Sequence, residues 1–212
     1  QQDHAFNISR AVREAVGPDF DIMIETHAML NYRVAVKMAQ RLSALDITWY
    51  EEPAGPESAD NLRAMRERIP SNVSICVGER HYTRHGIRPV LEKNICDIMM
   101  PDITRCGGPS EMKRMATMME AYNVLLAPHN PNGPLSTIAS AHVCAAVPNF
   151  FRQEYMFNDV EWRDTVITHP IKDMIRNGHL ELSERPGLGV DLVEHEMEKH
   201  PGILIPKEGF YI

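Results

Sequence analysis

Six ionisable residues each follow a short, mostly apolar run, and they recur at a nearly regular spacing. Short apolar runs between helical patterns are typical of buried parallel strands. Successive members lie 23 to 28 residues apart, close to the roughly 30 residues of one strand–helix unit in an eight-unit barrel of about 250 residues. Parallel strands would bring all six side chains to one end of the sheet. The six are Glu25, Glu51, Glu79, Asp102, His129 and Glu154.

Three of these residues are glutamates on consecutive predicted strands. Converging carboxylates repel one another unless a cation neutralises them, and Arg80 is the only Arg or Lys adjacent to any of the three in sequence. All-oxygen ligands favour Mg²⁺ or Mn²⁺ over Zn²⁺. The pattern predicts a divalent cation held by Glu25, Glu51 and Glu79. The alternative for any one of them taken singly is a surface ion pair.

The other strand-end residues are suited to proton transfer. Asp102 and His129 fit a general base and its orienting carboxylate, since a carboxylate on one ring nitrogen fixes the tautomer and raises the basicity of the other. His27 lies two residues after Glu25, on the same side of an extended backbone. It could transfer a proton, bind the metal or be a surface histidine. Glu154 could hydrogen-bond a substrate oxygen.

The elements that must position these residues are alternating strands and amphipathic helices, which predict an α/β fold of the (β/α)8 TIM-barrel type. Only six units are visible, and the first element, 4–16, is a helix with no strand before it. A six-stranded sheet would expose an apolar edge, so we expect strands three to eight here and two earlier strands before residue 1. The predicted strands are 21–25, 47–50, 74–78, 97–101, 124–128 and 150–153, with helical patterns between them.

Composition excludes several classes of protein. A net charge of −7 argues against a general nucleic-acid or anionic-membrane binder, which needs a basic face. No apolar run approaches the roughly 20 residues of a membrane span, and no signal-peptide pattern is present. We therefore expect a cytoplasmic protein whose cysteines are reduced and buried rather than paired or zinc-bound. The cysteines are Cys76, Cys96, Cys106 and Cys144.

Several motifs, in order, resemble the barrel domain of the enolase superfamily, mandelate racemase subgroup, over about residues 5–192. They are Trp49-Tyr50-Glu51-Glu52-Pro53, Val77-Gly78-Glu79-Arg80, Met100-Pro101-Asp102, Gly107-Gly108, Ala127-Pro128-His129 and Pro186-Gly187-Leu188-Gly189-Val190. Within the subgroup, Glu25-Thr26-His27 and Pro128-His129-Asn130-Pro131-Asn132-Gly133-Pro134 are most similar to acid-sugar dehydratases of the D-galactonate dehydratase type. Those enzymes usually carry Asp where this chain has Glu25.

The resemblance implies a dehydratase mechanism. Mg²⁺ on Glu25, Glu51 and Glu79, one ion per subunit, would bind the carboxylate of an aldonic acid and stabilise the enediolate. His129, oriented by Asp102, would remove the α-proton. His27 would protonate the departing 3-hydroxyl, and Glu154 would hydrogen-bond the enediolate. The product would be a 2-keto-3-deoxy sugar acid.

The resemblance also implies a domain organisation and leaves alternatives open. We expect a partial catalytic barrel over 1–190 and a C-terminal tail over 191–212 that packs on an N-terminal capping domain. The partners expected are a small sugar acid and further copies of the chain, as a dimer or octamer. A racemase, epimerase or cycloisomerase on this scaffold is one alternative, although His27 argues against it. A barrel without catalysis, kept for binding, is the other.

Overall fold

The computed structural model describes residues 2–157 and 160–201. Five short parallel strands form one sheet in chain order, so each strand pairs with the next one along the chain. This is the arrangement that strand–helix units produce. The strands are β1 Met23–Glu25, β2 Trp49–Glu51, β3 Ile75–Val77, β4 Ile98–Met99 and β5 Leu125–Leu126.

Six helices precede, separate and follow these strands, close to the predicted positions. Two of them begin at a side-chain cap: Asn31 accepts a hydrogen bond from the Val34 N–H at 3.1 Å, and Ser58 accepts one from the Asn61 N–H at 3.2 Å. Such caps satisfy N–H groups that have no partner inside the helix. The helices are α1 Gln2–Val16, α2 Tyr32–Leu42, α3 Ala59–Arg66, α4 Thr83–Glu92, α5 Gly108–Glu120 and α6 Pro134–Cys144.

The sixth predicted strand, 150–153, is shorter than expected. It is a single parallel bridge from Phe150 to Leu126. The chain nevertheless runs on beside β5, because the Phe151 N–H donates to the Leu126 carbonyl at 2.8 Å and the Glu154 N–H to the Pro128 carbonyl at 3.3 Å. Glu154 is therefore delivered to the same end of the sheet as the other predicted residues.

The core lies on both faces of the sheet. The larger cluster packs the helices on the outer face and includes the α5 methionines Met112, Met115 and Met119. These methionines are core residues, as their helical spacing predicts. The inner face carries a smaller cluster in which the rings of Trp49 and Phe151 lie 6.1 Å apart, edge to face. This contact joins β2 to the sixth segment, so the sheet curls as part of a barrel.

The segment beyond Glu154 folds separately from the sheet, and its described part continues without another strand–helix unit. It contains a 3-10 turn Arg163–Val166, α7 Ile171–Met174, an antiparallel hairpin of β6 Ile175–Arg176 and β7 His179–Leu180, and α8 Glu194–Met197. Its apolar residues pack on α6. Of the predicted tail 191–212, residues 202–212 lie outside the described residues, and its packing on a capping domain stays a prediction.

Two further expectations concern the whole chain. All four cysteines are buried, as predicted, and none is bonded to another. Within the ranges 2–157 and 160–201, every helix is too short or too polar to cross a bilayer.

Candidate active site

The carboxyl ends of β1, β2 and β3 bring the three predicted metal ligands together. Glu25 and Glu51 face each other in the parallel register, and Glu79 follows β3 after one glycine. Each residue offers a carboxylate oxygen, and these oxygens lie within 4.8 Å of one another. The predicted convergence of three acids on one point is therefore present in the fold.

The charge of this cluster is only partly balanced by the protein. Glu51 is buried, and burial together with the hydrogen bond and negative charge of Glu25 raises its pKa to about 9. A hydrogen bond of 2.9 Å from Trp49 Nε1 opposes this shift. In the described part of the chain, no Arg or Lys forms a salt bridge with Glu25 or Glu51. The negative charge of Glu25 and Glu51 is therefore not balanced by a cationic side chain of these residues.

A hard divalent cation fits this donor set. Three carboxylates from neighbouring strands supply only oxygen ligands, which Mg²⁺ and Mn²⁺ prefer. Each glutamate offers one oxygen, and the three oxygens lie within 4.8 Å of one another, close enough to be ligands of one ion. Neutralisation would also relieve the repulsion that raises the pKa of Glu51. Glu25, Glu51 and Glu79 are therefore the residues that would hold the ion.

Gly78 places Glu79 in this cluster. Its φ of +148° is unfavourable for residues with a side chain. A Cβ atom built there would lie 2.6 Å from the backbone nitrogen of Met100. Only glycine therefore allows β3 to pass this close to β4 just before the glutamate.

Asp102 and His129 form a hydrogen-bonded pair beyond the ends of β4 and β5. The two residues make a parallel bridge, and His129 Nδ1 lies 2.9 Å from Asp102 Oδ2. Asp102 is fully buried and also accepts hydrogen bonds from Thr104 and Asn132. Burial alone would raise the pKa of Asp102, but the bonds from His129, Thr104 and Asn132 hold it far below its usual value.

The second nitrogen of His129 faces the acid cluster. Nε2 lies 3.2 Å from Glu79 Oε2. Burial lowers the pKa of His129, but the hydrogen bonds to Asp102 and Glu79 outweigh it and raise the pKa to about 9. Glu79 shows the opposite shift, because His129 and Arg80 lower its pKa against the effect of burial. One nitrogen of the predicted base is thus held by Asp102, while the other points at Glu79 in the acid cluster.

His27 and Glu154 are the two remaining predicted site residues. His27 is solvent-exposed, with Nε2 3.7 Å from Glu79 Oε1 and its backbone N–H donating to Glu25. It does not belong to the group of residues whose ligand atoms converge. Glu154 Oε2 accepts a hydrogen bond from the Asn130 backbone N–H at 2.5 Å. The structure therefore places both residues at the site, and their chemical roles stay predictions.

Sequence reasoning missed Glu52, which is buried next to the cluster. Its carboxylate accepts a hydrogen bond of 2.8 Å from the Gly78 N–H and lies 3.7 Å from Arg80 Nε. Burial is the main cause that raises its pKa to about 7. The only available signal was the second glutamate of the Glu51-Glu52-Pro53 motif, which directly follows β2.

Comparison with known proteins shows the relatives of this chain. The sequence profile of the family described as "Enolase C-terminal domain-like" matches residues 1–196. A D-xylonate dehydratase of Haloferax volcanii is 35% identical over 198 residues, covering 93% of this chain and 47% of that protein. A D-gluconate/D-galactonate dehydratase of Picrophilus torridus is 32% identical over 195 residues, covering 92% of this chain and 49% of that protein.

A solved structure supports the same relationship. The mandelate racemase/muconate lactonizing enzyme-like protein from Rubrobacter xylanophilus superposes with a TM-score of 0.90 and 37% sequence identity, covering 98% of this chain and 52% of that chain. The chain therefore spans about half the length of the relatives it matches.

Proposed function

Because the chain belongs to the enolase C-terminal domain-like family, we propose that it carries the catalytic residues of a Mg²⁺-dependent acid-sugar dehydratase. The observation that carries the proposal is the position of His129 Nε2, 3.2 Å from Glu79 in a cluster of three glutamates. A carboxylate substrate held at that cluster would present its α-carbon to the imidazole. The similarity to xylonate, gluconate and galactonate dehydratases favours five- and six-carbon aldonic acids as substrates.

Glu25, Glu51 and Glu79 hold the cation in this proposal, with Mn²⁺ as the alternative to Mg²⁺. When bound, the ion supplies positive charge for the substrate carboxylate as the α-proton leaves. The acid cluster has the charge for this task, because Glu51 and Glu25 have no cationic side chain paired with them in the described residues.

His129 acts as the general base. A cation held by Glu79 would weaken the hydrogen bond and the negative charge that help to raise the pKa of His129 to about 9. With its Nδ1–H donating to Asp102, the neutral imidazole would then have Nε2 able to accept the α-proton. His27, exposed at the edge of the cluster, donates a proton to the departing 3-hydroxyl. Glu154 hydrogen-bonds a substrate oxygen. Loss of one proton and one hydroxide amounts to loss of water, and the remaining enol becomes a 2-keto-3-deoxy sugar acid.

A screen of aldonic acids tests the proposal directly. The purified protein is incubated with Mg²⁺ or Mn²⁺ and each acid, and 2-keto-3-deoxy products are detected by their reaction with semicarbazide. We expect His129→Asn to lower turnover by about 10²–10⁴-fold, the usual contribution of a general base. His142→Asn is the matched control, because this α6 histidine lies outside the site, with Nε2 3.4 Å from the Leu188 carbonyl.

Three results would contradict the proposal. One is full activity in His129→Asn. A second is turnover that does not depend on a divalent cation. The third is a product with an inverted stereocentre or a new ring, which would favour the racemase or cycloisomerase alternative. A cytoplasmic location and assembly into a dimer or octamer belong to the proposal on resemblance only, and sedimentation of the purified protein tests the assembly.

A further inference from the structure

Arg163 is a buried cation that belongs to none of the strands carrying the site. It begins the 3-10 turn Arg163–Val166, and only 7% of its surface is exposed. Burying a guanidinium is unfavourable unless its N–H groups are well paired. Among the described residues, its side-chain partners lie in the two loops that carry His129 and Glu154 and in the first turn of α6, which connects this residue to the site.

The first set of contacts leads to His129. Arg163 Nη2 donates to the Asn132 backbone carbonyl at 2.8 Å. The side-chain amide of Asn132 donates to Asp102 Oδ2 at 2.9 Å, and the same oxygen accepts the bond from His129 Nδ1. Arg163 therefore holds the residue that shares the orienting carboxylate with His129.

The second set of contacts leads to the segment that begins with Glu154. Arg163 Nη1 donates to the Met156 carbonyl, and the guanidinium carbon lies 4.8 Å from the centre of the Tyr155 ring. Tyr155 and Met156 directly follow Glu154 in sequence. The same guanidinium thus contacts the chain on both sides of the site.

A third set of hydrogen bonds connects the first two sets of contacts. Arg163 Nη2 also donates to Thr137 Oγ1 at 3.1 Å, and that oxygen accepts a bond of 2.8 Å from the side chain of Asn130. The Asn130 backbone N–H donates to Glu154 Oε2 at 2.5 Å. The His129 loop and the Glu154 carboxylate are therefore connected through residues that Arg163 fixes.

We propose that Arg163 is a positioning residue that holds the His129 loop and the Glu154 segment in register, acting through Asn132 and Thr137. Within residues 127–133 and 151–157 the structure shows no helix or regular strand, and the side-chain bonds to Arg163 add to backbone bonds such as that from the Glu154 N–H to the Pro128 carbonyl. The planar fork of arginine donates in several fixed directions at once, which the single ammonium of lysine cannot reproduce. The consequence for turnover rests on the proposed function.

The ring N–H of His129 reports this role without any turnover. In ¹⁵N-histidine-labelled protein its NMR signal is assigned by its loss in His129→Asn. We expect Arg163→Lys to shift this signal or to broaden it beyond detection through faster exchange with water. Arg66→Lys is the matched control, because Arg66 also pairs with a backbone carbonyl and a carboxylate, Val73 and Asp97. These partners precede β3 and β4, at the end of the sheet opposite to His129.

A second variant, Asn132→Ala, tests the same contacts if Arg163→Lys does not fold. Asn132→Ala changes a partly exposed side chain and leaves the buried cation in place, and it should also shift the His129 signal because Asp102 loses one donor. An unchanged signal in folded Arg163→Lys would overturn the proposal, and so would an unchanged signal in Asn132→Ala.

Kinetics separate this inference from the dehydratase proposal. With an active enzyme, Arg163→Lys should lower kcat by about a hundredfold, the cost of misplacing a catalytic group by about 1 Å, and leave KM nearly unchanged. A rise in KM alone would mean a substrate contact and would overturn the positioning role. If no substrate turns over, the dehydratase proposal fails and the NMR comparison still decides the role of Arg163.

Discussion

The two halves of the site satisfy their charges in different ways. On the β4–β5 side, Asp102 is fully buried and accepts hydrogen bonds from His129, Thr104 and Asn132, so its negative charge is stabilised within the protein. On the β1–β2 side, Glu25 and Glu51 face each other, and the pKa of Glu51 rises to about 9. The protein itself supplies the groups that stabilise Asp102, whereas Glu25 and Glu51 have no cationic side chain paired with them among the described residues.

This difference shows that the pKa of a buried acid depends on the groups that contact it. Burial alone raises the pKa of both Asp102 and Glu51. Hydrogen-bond donors reverse the effect at Asp102, while a second carboxylate adds to it at Glu51. A buried acid without compensation is costly to folding, and it persists here as part of the proposed metal site.

The largest expected effect is an opposite change in stability from neutralising one acid in each half. In EDTA at pH 8, Asp102→Asn should lower the free energy of unfolding by about 3 kcal/mol, because His129 and Asn132 lose their carboxylate partner. Glu51→Gln should raise it by about 1–2 kcal/mol, because the amide is neutral at every pH, whereas Glu51 has to take up a proton on folding at pH 8. Urea unfolding measures both, and changes of the same sign would contradict the comparison.

A substitution at Gly78, which lies between the two halves of the site, is expected to change the free energy of unfolding nearly as much. Gly78→Ala should lower the free energy of unfolding by about 2 kcal/mol, because the added Cβ would meet the backbone of Met100 at a strained φ. Gly86→Ala is the control within α4, since its Cβ would meet nothing closer than 3.9 Å, and the helix should gain up to about 1 kcal/mol. Thermal unfolding of both variants tests this, and equal effects would show that the approach of β3 to β4 is not tight.

The contribution of Glu51 to the free energy of unfolding should depend on pH. The folded pKa of Glu51 is raised to about 9 from an ordinary 4.5, so between these values the folded chain holds a proton that the unfolded chain has lost. The contribution of Glu51 is therefore fully present below pH about 4.5 and decreases as the pH rises towards 9.

Comparison with Glu51→Gln isolates this contribution, because the other titrating groups are common to both proteins. In EDTA, the stability advantage of Glu51→Gln should grow by up to about 1 kcal/mol per pH unit between pH 5 and 9. Urea unfolding at pH 5, 7 and 9 measures it, and a difference that stays constant with pH would disprove it.

The smallest expected effect is the change in metal affinity when the side chain at position 25 is shortened. Glu25→Asp retains the charge and restores the residue that similar dehydratases usually carry, so Mn²⁺ affinity measured by calorimetry should change by less than about tenfold. Glu25→Gln removes the charge and should weaken binding by more than that. Equal affinities for the two variants would remove Glu25 from the metal site.

Much of the fold and the site was predictable because the signals are local. Apolar runs and helical periodicity predicted β1–β5 and α1–α6, and the residue after each run predicted which side chains converge. Register then follows from parallel pairing, as for Glu25 opposite Glu51. The sixth strand was overestimated: its run 150–153 contains Arg152 and Gln153, and it forms one isolated bridge, at Phe150, instead of a regular strand.

The sequence by itself determined which residues stand at the strand ends, because strand order and side-chain alternation are encoded in neighbouring positions. Only the tertiary structure decided what surrounds them. Glu52 beneath the cluster and Arg163 behind the His129 loop are single charged residues without a periodic signal. Their partners lie 26 positions away for Gly78 and 31 for Asn132, so their roles depend on packing between segments that no local pattern records.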